Sequence, residues 1–130
     1  AAKIFPKQDL WIVCGDGSAV MAMQDMLMFV RESIAVKIII LDNHGYLTEN
    51  LKTTGSFNRG FDIDWCVYAK SIGFGYAATV KTTESLNNVF QQLTETNASQ
   101  SLLSIDIPPR SIPQQLNNLM TWDILRRTSS

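Results

Sequence analysis

Histidine occurs once in these 130 residues, at His44, and cysteine twice, at Cys14 and Cys66. The cysteines are far apart and form no CxxC or Cys/His pattern, so the ligands of a zinc site are lacking. They are expected as two buried thiols in a reducing cytoplasm. A Ser/His/Asp or Cys/His nucleophile would have to use His44, and no signature around it marks such a site. Long apolar runs are missing too. Runs such as Trp11-Ile12-Val13-Cys14 and Ile38-Ile39-Ile40-Leu41 are short, far from the ~20 residues that cross a bilayer. The first seven residues, Ala1-Ala2-Lys3-Ile4-Phe5-Pro6-Lys7, contain no apolar h-region. Charge of one sign is absent: 11 Lys and Arg oppose 12 Asp and Glu, a formal net charge of −1. No global field therefore draws in nucleic acid or an anionic membrane. There is no internal repeat. These absences exclude a membrane-spanning protein, a disulfide knot, a collagen-like chain and a basic nucleic-acid arm. With 45% apolar and 18% charged residues, the chain reads as one soluble α/β or α+β unit.

β-rich runs alternate with helical periods. Residues 10–14 read as a buried strand, ended by Gly15-Asp16-Gly17. Residues 18–31 read as one helix. Gln24, Asp25, Arg31 and Glu32 share its polar face, while Val20, Met23, Leu27, Val30 and Ile34 fall on the apolar one. Met21 and Met28 fall on the polar stripe, which marks it for cover by a partner domain or subunit. Residues 36–41 form a β-branched strand suited to a sheet covered on both faces. Residues 42–61 are rich in Asn, Gly, Thr and Ser, a long loop of the kind that often carries function. In it, Phe57, Asn58, Arg59 and Phe61 are read as loop packing, with a substrate entrance as the alternative. A helix over 62–72 follows, with Asp62 or Asp64 to cap it and Gly73 and Gly75 at its end. Residues 76–79 form a third strand, 82–94 a helix, and 101–107 a fourth strand stopped by Pro108-Pro109. Residues 112–127 place Ile112, Leu116, Leu119, Met120 and Ile124 near helical spacing. The expected fold is α/β: a mostly parallel sheet with helices on both faces, in three layers.

Ligands of such sheets bind beyond the carboxyl ends of the strands. One end is Gly15-Asp16-Gly17-Ser18, where glycines and a helix start offer room and N–H groups for a phosphate. Asp16 would repel that phosphate directly. A divalent cation between them removes the conflict, and magnesium takes hard oxygen ligands together with phosphate oxygens. The other end is Asp42-Asn43-His44-Gly45, with Asn43 placed 27 residues after Asp16. If the two strands are neighbours, Asp16, the Asn43 amide oxygen and the Gly45 carbonyl supply three ligands.

Gly-Asp-Gly, 24 intervening residues and then Asp-Asn resemble the thiamine diphosphate-binding motif. The resemblance covers 10–107 and is most specific over 14–49. Gly15-Asp16-Gly17-Ser18, Gln24-Asp25 and Asp42-Asn43-His44-Gly45-Tyr46 resemble the pyruvate and indolepyruvate decarboxylase branch, which usually has a second Asn where Asp42 stands here. The resemblance implies that Asp16, Asn43 and the Gly45 carbonyl hold Mg2+. It also implies that Gly15, Gly17, Ser18, Asn43 and Gly45 bind the cofactor, with Gly17 and Ser18 touching the diphosphate. Glu49 would lie near the cofactor aminopyrimidine and the substrate carboxylate and take part in proton transfer. By position His44 points outward and Cys14 is packing.

The implied activity is decarboxylation of a small 2-oxo acid, or a related carboligation, with thiamine diphosphate supplying the electron sink. Two alternatives stand beside it. One is the β-subunit type of 2-oxo acid oxidoreductase, whose iron–sulfur ligands this chain lacks. The other is a non-catalytic, isolated or degenerate domain. Members of the family also use an upstream glycine-bearing segment and a separate pyrimidine-binding domain, in paired subunits. The expectation is thus a single partial domain over 1–130, with a core at 10–107 and a tail at 108–130. It is an incomplete thiamine diphosphate-binding fold, inactive alone.

Overall fold

The computed structural model describes residues 9–47, 49, 55–56, 59–109, 114 and 118. The expected tail helix over 112–127 lies outside the described residues apart from two positions. The elements run β1 (Trp11–Gly15), α1 (Asp16–Met21), α2 (Met23–Arg31), β2 (Val36–Asp42), α3 (Trp65–Ser71), β3 (Tyr76–Val80), α4 (Thr83–Glu95) and β4 (Gln100–Asp106). All strand pairs are parallel, in the order β1-β2-β4-β3.

This order explains which helix covers which face. The crossovers from β1 to β2 and from β2 to β3 both move the same way across the sheet, and the crossover from β3 to β4 moves back. With right-handed connections throughout, the last helix must lie on the opposite face. The packing agrees. Ala19 and Met26 from α1 and α2, with Trp65 and Ala69 from α3, bury against Val36, Ile38, Ile40 and Leu102. Leu93 of α4 buries against Ile39, Val80 and Leu103 on the other side. The expected α/β fold with helices on both faces is therefore present. β2, the β-branched run Val-Lys-Ile-Ile-Ile-Leu-Asp, is interior to the sheet and its apolar residues meet both layers.

Three local expectations are corrected. The single helix over 18–31 is two, broken at Ala22, whose φ of −107° and ψ of 12° leave the helical range. The break shifts the phase of the second piece, so Met26 is buried and Leu27 is exposed. A periodicity counted through the break placed Leu27 in the core. The first helix also begins at Asp16, which brings Asp16 and Gly17 into its first turn. β1 is not a buried strand: it is at the sheet edge, exposed at Trp11 and Val13, because α4 covers the far half of that face. The Trp11 ring stacks on Phe90 of α4 at 6.0 Å between centroids. Both thiols are half-buried rather than buried, Cys14 because its strand is an edge and Cys66 beside Thr79 Oγ1 at 3.1 Å.

Local chemistry settles α3. Asp64 is its N-cap, and the carboxylate accepts from the Val67 N–H at 2.9 Å. Tyr68 then ties α3 to α2 by donating its hydroxyl to the Met23 carbonyl. Burial raises the Tyr68 pKa above the ordinary 10.0. A raised folded-state value means that its contribution to stability is complete below the unfolded value and is lost as pH rises through the folded one. Tyr68→Phe should lower stability by about 1 kcal/mol at neutral pH. It should also remove part of the alkaline loss of stability, as measured by urea unfolding from pH 7 to 11.

Candidate functional site

Pairing of β1 with β2 puts Gly15 opposite Leu41, so Asp16 emerges beside Asp42 and the turn that follows it. The Asp16 side chain is 5% exposed. Its carboxylate accepts the backbone N–H of Gly45 at 2.7 Å, and the nearby backbone N–H groups of Gly17 and Asn43 also favour its charged form. Burial, then the neighbouring charge of Asp42, push the Asp16 pKa up, and the three backbone donors pull it down. The balance is a carboxylate short of positive partners.

The Asn43 amide closes the group. With its nitrogen inward, Nδ2 donates to the Gly45 carbonyl oxygen at 2.7 Å and to Asp16 Oδ1 at 3.0 Å. With its oxygen inward, three oxygens face one another: Asn43 Oδ1, Gly45 O and Asp16 Oδ1. Oxygens packed so closely repel unless a proton or a cation lies between them. The inward Asn43 atom stands 2.7 and 3.0 Å from the other two, near the spacing of about 3.0 Å between adjacent ligands of an octahedral magnesium ion. Among the described residues no group of three His, Cys, Asp or Glu side chains could hold a metal. The donor set is instead one carboxylate, one amide and one carbonyl, which suits a hard cation that shares its shell with a ligand.

The turn that carries these atoms is held from several sides. His44 has φ of 60°, in the left-handed region that few residues other than glycine adopt. Its N–H donates to Asp42 Oδ1 at 3.1 Å, and its carbonyl accepts the Gly60 N–H at 3.2 Å. Gly60 lies flat on this turn. A Cβ there would stand 2.5 Å from the His44 carbonyl carbon and 2.6 Å from the Gly45 nitrogen. Gly45 also bridges to Arg59. The His44 ring places Nε2 3.1 Å from Asp106 Oδ1, at the end of β4. That hydrogen bond raises the His44 pKa above 6.5, burial opposes it, and the charges of Asp42, Asp106 and Asp62 add to it.

Beside the three oxygens lies a cavity of about 530 Å³, lined by Gly15, Asp16, Gly17, Ser18, Asn43, Gly45, Tyr46 and Glu49 among others. Every residue singled out for the cofactor, the metal or proton transfer thus borders one space. Glu49 is exposed at this cavity. Gly17 has a role of its own. A Cβ on it would come within 2.7 Å of the Tyr46 ring, so glycine lets the ring lie against the first turn of α1. The Gly17 N–H is directed to the Asp16 carboxylate. Arg59 and Phe61 are exposed and line neither this cavity nor the smaller one beyond the turn. Phe57 and Asn58 lie outside the described residues.

Residues 1–105 match the model of the thiamine pyrophosphate enzyme family's C-terminal TPP binding domain. The chain belongs to this family. It is 24% identical over 115 residues to a probable pyruvate decarboxylase of Schizosaccharomyces pombe, which covers 85% of this chain and 20% of that protein. It is 25% identical over 124 residues to an alpha-keto-acid decarboxylase of Mycobacterium avium, covering 92% of this chain and 22% of that protein. The chain therefore spans about one fifth of the length of these curated relatives.

The sequence reading assigned no role to Tyr46, Gly60 or Asp106. The strand-end rule that singled out Asp16 and Asn43 applies equally to Asp106, the last residue of β4. Gly60 carries no sequence signal, since its partner is the backbone of a turn 15 residues away. Gly17→Ala should displace Tyr46 and narrow the cavity. Thiamine diphosphate affinity, measured by calorimetry, should then fall about tenfold, a loss of about 1.4 kcal/mol. Gly17→Ala with Tyr46→Ala should recover part of it.

Proposed function

We propose that this domain binds the magnesium–diphosphate end of thiamine diphosphate within a 2-oxo acid decarboxylase or carboligase. The observation that carries the proposal is the convergence of the Asp16 carboxylate, the Asn43 side-chain amide and the Gly45 carbonyl oxygen at the mouth of a cavity. A divalent cation bound there satisfies three oxygens that otherwise need the amide reversed, and it supplies the positive charge that the buried Asp16 lacks. The Asn43 amide then turns its oxygen inward, so cation binding and amide orientation are one event.

The remaining residues act around that centre. Gly15 and Ser18 line the cavity where a diphosphate would continue the cation's shell, and the Ser18 hydroxyl is a donor to it. Gly17 and Tyr46 shape its wall. When bound, thiamine diphosphate supplies the electron sink for loss of carbon dioxide from a 2-oxo acid. Glu49 is the carboxyl group at this cavity that could give or take a proton beside the reacting carbon. The names of the two relatives, both decarboxylases, support the reaction class. Activation of the pyrimidine end falls to a partner domain or subunit. Met21, 75% exposed at the cavity rim, lies where such a partner would close the site.

Calorimetry of the chain with thiamine diphosphate should show binding only when Mg2+ is present. Asp16→Ala should abolish it, and undiminished affinity in that variant would remove the metal assignment. In an enzyme that contains this domain, Glu49→Gln should lower kcat by about two orders of magnitude or more while changing cofactor affinity little. Wild-type turnover would take Glu49 out of the mechanism.

A further inference from the structure

We infer that Asp106, acting through the His44 ring, is a positioning residue that holds the 42–45 turn in the shape that presents Asn43 and the Gly45 carbonyl to the cation. The inference rests on the reading of this site as a magnesium–diphosphate centre. The turn sends its residues alternately to two sides. Asn43 and Gly45 line the cavity beside Asp16, while Asp42 and His44 line a separate cavity of about 330 Å³ beyond it. The same backbone conformation serves both sides, so whatever fixes His44 also fixes Asn43 and Gly45.

That conformation is uncommon for a residue with a Cβ. A φ of 60° costs a residue with a Cβ of the order of 1 kcal/mol or more and persists only where surroundings enforce it. Backbone bonds to Asp42 Oδ1 and from Gly60 are local to the loop region. The ring bond to Asp106 differs in reach, since it spans 62 residues and fastens the turn to the end of β4. β4 is the neighbour of β2, and Asp42 stands opposite Asp106 in register. The ring therefore sits across two adjacent strand ends, with Nδ1 3.5 Å from Asp42 Oδ1 and Nε2 3.1 Å from Asp106 Oδ1. Rotation of the turn would break the Asp106 bond, and with it the Gly45 N–H bond to Asp16 at 2.7 Å. Asp106 borders only the second cavity, so it acts on the cation through the shape of the turn.

The test compares wild type, Asp106→Ala and Asp106→Asn in the full chain by two measurements. The first is Mg2+ affinity by calorimetry with thiamine diphosphate present. Asp106→Ala should weaken it by about tenfold, the low end for a hydrogen bond with a charged partner. Asp106→Asn, which keeps an acceptor for Nε2–H, should restore it to within about threefold. The second measurement needs no metal: hydrogen exchange of the Gly45 and Gly60 amides by NMR. Asp106→Ala should accelerate both, while the Ile40 and Leu103 amides of the core keep their protection. Equal loss of protection at all four amides would mean that Asp106 serves overall stability, and the inference would fall. It would fall too if Gly45 exchange were unchanged, or if Asp106→Asn were as weak as Asp106→Ala. Absence of Mg2+ binding by the wild type would overturn the metal reading of the site, and the amide exchange would still decide whether Asp106 holds the turn.

Discussion

Three carboxylates stand at the carboxyl ends of three neighbouring strands. Asp16 follows β1, Asp42 ends β2 and Asp106 ends β4, and the parallel register sets them side by side. Parallel pairing brings like charges together here, and each must be neutralised differently. Asp106 meets the His44 ring, and Asp42 meets the His44 N–H and lies near the ring as well. Asp16 is met by backbone N–H groups and the Asn43 amide, and burial beside Asp42 still raises its pKa. The local order of the site follows from this constraint. The turn between Asp42 and Gly45 folds so that its donors reach all three carboxylates.

The fold supplies this edge at modest cost. A sheet with order β1-β2-β4-β3 places β2 next to both β1 and β4, so one turn after β2 can touch the ends of both neighbours. Reversal of direction at β3 puts α4 on its own face and leaves the carboxyl edge open above β1 and β2. Gly60 backs the turn after β2 so closely that no side chain is tolerated there. Rigidity of this kind suits a site whose work is to hold a charged group still.

Much of this was legible in the sequence because it depends on local patterns. All four strands, a carboxylate cap at Asp62 or Asp64 and the helix expected over 82–94 follow from apolar runs, acidic residues and turn residues that act within a few positions. Asp16, Asn43, Gly45 and Glu49 stood out because strand ends carry ligands in parallel sheets and because their spacing resembles a known motif. Leu27 and Met26 show where local reading fails. Periodicity assumes an unbroken helix, and one non-helical residue at Ala22 turns the later positions to another face. β1 shows a second limit. An apolar run says that a strand prefers burial, but its neighbours in the sheet decide whether it obtains any.

By itself the sequence determined the α/β class, the alternation of strands and helices, and the placing of Asp16, Asn43 and Gly45 at strand ends, since each rests on short-range patterns of the chain. Strand order, the exposure of β1 and the clasp between His44 and Asp106 were decided only in the tertiary structure. These depend on which strands become neighbours, and so on contacts between residues as far apart as 44 and 106. The orientation of the Asn43 amide belongs to the same class. It is set by two oxygens brought to it from Asp16 and Gly45, and no pattern along the chain encodes how closely they stand.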